Sequence, residues 1–337
     1  MNATVPILIG SMALIFIAAV AFVNAIEYLG YRFHLGGSFV GAILAPLFTS
    51  LPELTIFLVA VFAHGGAAGE EIGIGTLFGQ PFMASSLSYG LVGIAALIGY
   101  FAKKRSNATL VVDKSLAIPY IFITILFPLT VVPPLFGLRF VNYIFGAVFF
   151  GAFIFYISLM YRRRQAELIE HAEEPYFYRA GHKVMASPSP TAWAIIQLVL
   201  AVVLLYIGST HMVNSVDTLS KNLGVSTLGL ALIVVPAATA IPETVSALIW
   251  GYRGRDTMSI GSLVGEKILY STFYPGLGLF LTSWALDIHA YSSVVATTVI
   301  SCILLFFILR QRIPWWALCI GFVFFVAYAV MIFALHV

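Results

Sequence analysis

Residues 46–53 read Pro46-Leu-Phe-Thr49-Ser-Leu-Pro52-Glu53, and residues 236–243 read Pro236-Ala-Ala-Thr239-Ala-Ile-Pro242-Glu243. Both are P-x-x-T-x-x-P-E, and both lie inside long apolar runs. A proline within a helix has no N–H to donate, and its ring clashes with the carbonyl four residues back. Pro52 is therefore expected to free the carbonyl of Phe48, and Pro242 that of Ala238. Thr49 and Glu53 are four residues apart and share a helix face, as do Thr239 and Glu243. Two carboxylates among several carbonyl and hydroxyl oxygens, with Ser50 beside them, make a hard-cation site suited to Ca²⁺. The plainer reading is that the prolines kink helices and the glutamates pair with a base. Lys267 is the one basic residue that falls within a predicted span. A charge at the bilayer midplane costs at least about 2.5–3.5 kcal/mol. Two such acids, one per half, favour an ion site.

The elements that must carry this site are membrane spans. The 337 residues are 61% hydrophobic and 9% charged, too apolar for a soluble domain. Apolar runs near 5–31, 39–63, 72–100, 115–136, 140–161, 191–220, 226–250, 258–284, 291–309 and 314–335 predict an all-α polytopic membrane protein of ten transmembrane helices. They lack the short alternation of an outer-membrane barrel. The first run has no basic flank and is too long for a signal peptide, so it is read as a helix. With the N-terminus outside, the inner connections hold Arg32, Lys103, Lys104, Arg105, Lys114, Arg162, Arg163, Arg164, Arg179, Lys183, Arg253, Arg255, Arg310 and Arg312. The outer connections hold only Arg139 and Lys221. The positive-inside rule then gives an N-out/C-out protein. Cys302 and Cys319 read as small packing residues, without a disulfide framework. The sequons Asn2-Ala-Thr4 and Asn107-Ala-Thr109 read as chance matches.

A polar stretch, 162–190, separates a first five-helix repeat (1–161) from a second (191–337), and reads as a short cytoplasmic helix and loop. At an offset of 190, Asn24 meets Asn214, Glu27 meets Asp217, and the two P-x-x-T-x-x-P-E stretches superpose. At an offset of 186, Gly75-Thr-Leu-Phe-Gly79 meets Gly261-Ser-Leu-Val-Gly265, and Ser85 meets Ser271. A collinear series of this length indicates internal duplication. Five spans is an odd number, so the halves enter from opposite faces as two inverted five-helix repeats, an architecture of transporters. The glycine pairs predict close helix packing. Glu27 and Asp217 near span ends, with Asn24 and Asn214 one turn earlier, are candidate gate or access residues. Glu70 and Glu71 read as a solvated outer loop, and His64, His211 and His289 as isolated polar packing or interfacial residues. No zinc-protease, Walker A or nucleophile-elbow pattern is present, so an enzyme is not expected.

At these residues the chain resembles the Ca²⁺/cation antiporter superfamily, in particular sodium/calcium exchangers. Their G-T-S-x-P-E-like stretch is matched by Phe48-Thr49-Ser50-Leu51-Pro52-Glu53 and Ala238-Thr239-Ala240-Ile241-Pro242-Glu243. Gly224-Val225-Ser226 looks like the family's entry to the seventh helix. The resemblance implies that Glu53 and Glu243 bind Ca²⁺ with help from the Thr49 and Thr239 carbonyls. It also implies that the counter-ion competes for the same glutamates, and that the first and sixth helices slide against the rest. The second family motif departs: Gly79-Gln80-Pro81 and Gly265-Glu266-Lys267 replace its Ser and Asn positions, and Ala84 and Tyr270 stand where a further Asn or Asp is usual. Part of the family's sodium ligand set is therefore missing. Glu266 joins the candidate metal ligands, and Gln80 and Lys267 the candidate coupling residues. A fixed ammonium beside the site would neutralise one carboxylate and, with Glu266, make the counter-ion step proton-coupled. Alternatively, Lys267 snorkels or pairs permanently with Glu266 or Glu243.

These readings predict a plasma-membrane antiporter exchanging Ca²⁺ for Na⁺ or H⁺ by alternating access. The alternatives are an H⁺-coupled exchanger of another cation, or a cation channel or ion-regulated scaffold. Inorganic cations and the lipid bilayer are the expected partners, with no nucleic acid and no cofactor; the oligomeric state is open.

Overall fold

A computed structural model describes residues 3–32, 50–163, 173–181 and 189–334. The first half holds α1 (Thr4–Arg32), α2 (Leu51–Leu58), α3 (Gly66–Met83), α4 (Tyr89–Phe101), α5 (Ala117–Leu129) and α6 (Arg139–Arg163). A six-residue helix, α7 (Tyr176–Gly181), follows. The second half holds α8 (Pro190–Leu223), α9 (Thr227–Thr239), α10 (Ile241–Tyr252), α11 (Asp256–Ser271), α12 (Phe273–Leu281), α13 (Ile288–Leu309) and α14 (Trp315–Phe333).

Among the described residues seven helices are long and apolar enough to cross a bilayer, and α9 with α10, bent by 63°, makes an eighth. The two remaining expected spans are interrupted. Residues 33–49 lie outside the described residues, which leaves Leu51–His64 as a short apolar helix. Near 258–284, α11 and α12 are 16 and 9 residues long and part at Thr272 (φ −137°, ψ −82°). The repeat-related place in the first half is the wide-turned π stretch Ala84–Ser88, which joins α3 to α4 without a break. A second π stretch, Val59–His64, continues α2. Such wide turns leave carbonyls re-aimed and cluster at functional sites.

The structure corrects two sequence expectations here. Pro242 does not kink a continuous helix. The chain breaks at Ala240 (φ −80°, ψ 0°), and Pro242 lies in the first turn of a new helix, where its missing N–H costs nothing. Pro52 holds the same place in α2, which starts after Ser50 (φ −90°, ψ 8°). Glu70 and Glu71 lie on helix α3, not in a loop, and Glu70 accepts a hydrogen bond from the Ser283 amide at 2.9 Å. Beside the helices stands one short antiparallel pair, β1 (Leu110–Val111) with β2 (Arg312–Ile313).

That β pair belongs to a clasp at the arginine-rich end. The Arg105 guanidinium, buried in the clasp, donates to the Gly251 carbonyl at 2.7 Å and the Asp256 carboxylate at 3.0 Å. Asp256 also accepts from the Val111 amide at 2.7 Å. Connections from both halves are thereby tied together.

Small residues set the spacing between helices. α3 runs along α9, and a Cβ at Gly75 would meet the Leu228 carbonyl oxygen at 2.7 Å and the Ala231 methyl at 2.8 Å. One at Gly79 would strike the Leu232 carbonyl oxygen and Pro236. The first glycine pair thus does the close packing expected of it, and presses the third span onto the second half's P-E segment. α1 lies along α8, where Gly208 leaves room for Ile15.

Gly79→Val is expected to lower the Tm of the purified protein, at a cost of about 1–3 kcal/mol for overpacking against an immovable carbonyl. Gly151→Ala, on an open helix face, is the control, expected to stabilise by about 0.5–1 kcal/mol. Equal Tm values for Gly79→Val and wild type would show that α3 and α9 are not in this contact.

Candidate ion-binding site

Two helix starts and two helix middles build the site. Glu53 lies in the first turn of α2, and Glu243 in the first turn of α10. The partial positive charge of a helix N-terminus favours carboxylates at both places. Gln80 comes from α3 and Glu266 from α11. Glu53 and Gln80 are 2% exposed and Glu266 is 7% exposed.

The Gln80 side chain bridges the halves. Its Nε2 donates to Glu266 Oε2 at 3.0 Å and reaches Glu53 Oε1 at 3.4 Å. Glu243 faces Glu266 and lies within electrostatic range of Glu53. The Thr239 side chain reaches the Glu53 carboxylate, and its hydroxyl also donates to the Val235 carbonyl at 3.2 Å. Ser50, at the helix break, accepts from the Tyr274 hydroxyl at 2.6 Å on its side chain and 2.9 Å on its carbonyl. Tyr270 stacks on Tyr274 with ring centroids 4.6 Å apart.

Several oxygens here are buried without a hydrogen-bond partner: Glu53 Oε2, Glu243 Oε2, Gln80 Oε1 and the Tyr270 hydroxyl. Buried polar atoms are nearly always paired, so four such atoms near the glutamates make this group a candidate ligand site. Among the described residues no three acids are arranged as a closed metal site. Among the described residues no ion pair joins Glu53 or Glu243 to a base.

Lys267 follows Glu266 in sequence but points elsewhere. Its ammonium donates to Ser301 Oγ at 3.0 Å and lies 5.3 Å and 5.4 Å from the Tyr89 and Tyr120 ring centroids. Those tyrosines are joined by a 2.6 Å hydrogen bond. Among the described residues the Lys267 ammonium is thus engaged by Ser301 and the two tyrosine rings, which differs from the alternative of a permanent pairing with Glu266 or Glu243. Adjacent residues on a helix diverge by about 100°, which turns one side chain to the acids and the next to the aromatic pair.

The candidate gate residues lie away from the glutamates. Asn24 bonds to the α7 segment and to Gln197. Asp217 pairs with Lys221 at 2.8 Å and His64 at 3.5 Å, and His64 also bonds Asn214 at 3.0 Å. His64 is thus not isolated. Pro46 and Thr49 lie outside the described residues, as does the side chain of Glu27. Sequence reasoning missed Tyr274; its distance from Ser50, 224 residues along the chain, carried no local signal.

The comparisons with known proteins agree on one kind of molecule. The family model "Sodium/calcium exchanger protein" matches residues 4–162 and 193–335. "Putative antiporter CaxA" of Alkalimonas amylolytica is 25% identical over 296 residues, covering 86% of this chain and 83% of that protein. "Inner membrane protein YrbG" of Escherichia coli (strain K12) is 20% identical, covering 93% and 90%. Among solved structures, the H⁺/Ca²⁺ exchanger CAX superposes with a TM-score of 0.72 at 16% identity, covering 99% of this chain and 85% of that one. The sodium-calcium exchanger NCX_Mj gives 0.59 at 19% identity, covering 98% of each chain. With a family match over most of its length and the same fold, this integral membrane protein belongs to the sodium/calcium exchanger protein family of transporters.

Proposed function

We propose that the chain is a plasma-membrane Ca²⁺ antiporter in which Glu53, Glu243 and Glu266 are shared by Ca²⁺ and the counter-ion. One observation carries this reading: Glu53, Glu243, Glu266 and Gln80 converge from both halves, with Glu53 Oε2, Glu243 Oε2 and Gln80 Oε1 buried and without a hydrogen-bond partner. Carboxylates buried so close together are costly to ionise, and protons or metal cations on them would relieve that cost. Loading Ca²⁺ would draw the unpartnered oxygens of Glu53, Glu243 and Gln80 inward, with the Thr239 carbonyl and that of Thr49 completing an oxygen shell. Glu266 would replace a neutral sodium ligand with a proton-carrying one, which favours H⁺ as counter-ion over Na⁺. Tyr270 and Ala84, where the family often has Asn or Asp, support the same choice. Competition of the two ions for one set of carboxylates couples their movements without a separate device.

The proposed frame is ten spans, N-out and C-out, as inverted repeats 1–161 and 191–337 joined by the cytoplasmic linker 162–190. Alternating access would carry α1 and α8 past the remaining helices. At the outer end, Asp217, Asn214 and His64 would line the access route.

Ca²⁺ uptake into proteoliposomes under an imposed H⁺ gradient, then a Na⁺ gradient, tests the reading. Uptake is expected under the H⁺ gradient and is expected to vanish in both Glu53→Gln and Glu243→Gln. Uptake driven by Na⁺ alone would assign Na⁺ as counter-ion; uptake with neither gradient would indicate a channel. Absence of Ca²⁺ flux in all conditions would sink the calcium assignment.

Lys267→Met is expected to retain Glu53-dependent uptake with the same counter-ion dependence. Its Tm should be unchanged or higher, because apolar replacement of buried ionic groups is often neutral or stabilising by about 1–4 kcal/mol. An altered counter-ion dependence would instead make Lys267 part of the coupling.

A further inference from the structure

The segment Glu173–Gly181 is seated on the membrane helices through its backbone. α7 begins at Tyr176, and the first amides of a helix have no partners within it. The Tyr176 amide donates to Asn24 Oδ1 of α1 at 3.0 Å, and the Phe177 amide to Gln197 Oε1 of α8 at 2.9 Å. The same two side chains bond each other, Gln197 Nε2 to Asn24 Oδ1 at 2.9 Å, and Gln197 Nε2 also donates to the Ala21 carbonyl at 2.7 Å. Asn24 Nδ2 reaches the Glu174 carbonyl at 3.5 Å. Gln197 is 0% and Asn24 5% exposed, so these are buried amides whose oxygens are matched by linker amides. Pro175, also buried, holds the turn that delivers them. Arg179 folds back over the Tyr176 ring, 4.9 Å from its centroid, and pairs with Glu173 at 3.1 Å.

We propose that this segment is a clip that fastens α1 to α8 at the arginine-rich end, so that the two helices move as one body. α1 belongs to the first half and α8 to the second. They lie along each other, and most of each one's membrane-spanning stretch is not buried in the protein. Their most extensive contact is with each other, and such a pair can slide in register past the other helices only if its ends stay joined. Asn24 and Gln197 together with two linker amides supply that join, which is a role for Asn24 different from ion access. The inference rests on the alternating-access reading of the function.

Tyr176→Pro tests it. Proline is tolerated in the first turn of a helix, the preceding Pro175 is outside the helix, and the substitution removes the N–H that Asn24 accepts while leaving the ion site untouched. Tyr176→Ala keeps that N–H and is the control; Gln197→Met is a second route to the same release. Two quantities are read in proteoliposomes: Ca²⁺ turnover, and the distribution of spin-label distances between the arginine-rich ends of α1 and α8. Tyr176→Pro and Gln197→Met are expected to broaden the distances and lower maximal turnover roughly 3- to 10-fold, the size of effect typical for residues remote from a ligand. The Ca²⁺ concentration at half-maximal rate should not move, and Tyr176→Ala should match wild type. Broadened distances with wild-type turnover would overturn the proposal, as would distances that stay narrow in both release variants. A wild type without Ca²⁺ flux would defeat the transport reading instead, and is distinguishable because the distance measurement needs no flux.

Discussion

The convergence of Glu53, Glu243 and Glu266 in one interior place is the constraint around which the rest of the molecule is arranged. Burial removes the water that would screen their mutual repulsion. A lysine on an adjacent position could have ended the problem permanently, but Lys267 is held by Ser301 and two tyrosine rings on the other side of its helix. Under the proposed function these carboxylates would be relieved by mobile cations, which is the property an exchanger requires.

Holding such a group in place falls to helix ends and amides. Glu53 and Glu243 lie in the first turns of α2, which starts after Ser50, and of α10, which follows the break at Ala240; there the helix dipole offers a fixed partial positive charge. The Gln80 amide separates Glu53 from Glu266 and blunts their repulsion. Tyr274 ties Ser50, at the start of α2, to the opposite half. The Gln80–Glu266 and Tyr274–Ser50 bonds join one half to the other, so the group forms where the halves meet. Gly75 and Gly79 allow that meeting by letting α3 lie against the α9 backbone.

Away from the centre, the two ends of the bundle are tied differently. At the arginine-rich end a buried Arg105–Asp256 pair and a short β bridge join three connections into a fixed clasp, while α7 joins only the α1–α8 pair through neutral amides. At the other end, His64, Asn214, Asp217 and Lys221 form a partly exposed set. The π stretch Val59–His64 lies along the chain between His64 and Glu53.

The sequence by itself determined the apolar segments, the charge asymmetry of their connections, the P-x-x-T-x-x-P-E repeat and hence Glu53 and Glu243. These are local properties: a helix face or a hydrophobic run is complete within a few turns. It also placed Gln80 and Glu266 at equivalent positions of the two halves. Tertiary structure alone decided that Gln80 bonds Glu266 across 186 residues, that Lys267 faces Tyr89 and Tyr120, that Tyr274 serves Ser50, and that Asn24 receives a linker amide. Proline identity signalled a disturbed helix at Pro242, but only packing chose a clean break with a 63° bend over a kink. The reason is geometric. Periodicity says which residues share a face, whereas the partner of that face depends on helix register and on close approaches at residues such as Gly75, Gly79 and Gly208, which no single segment encodes.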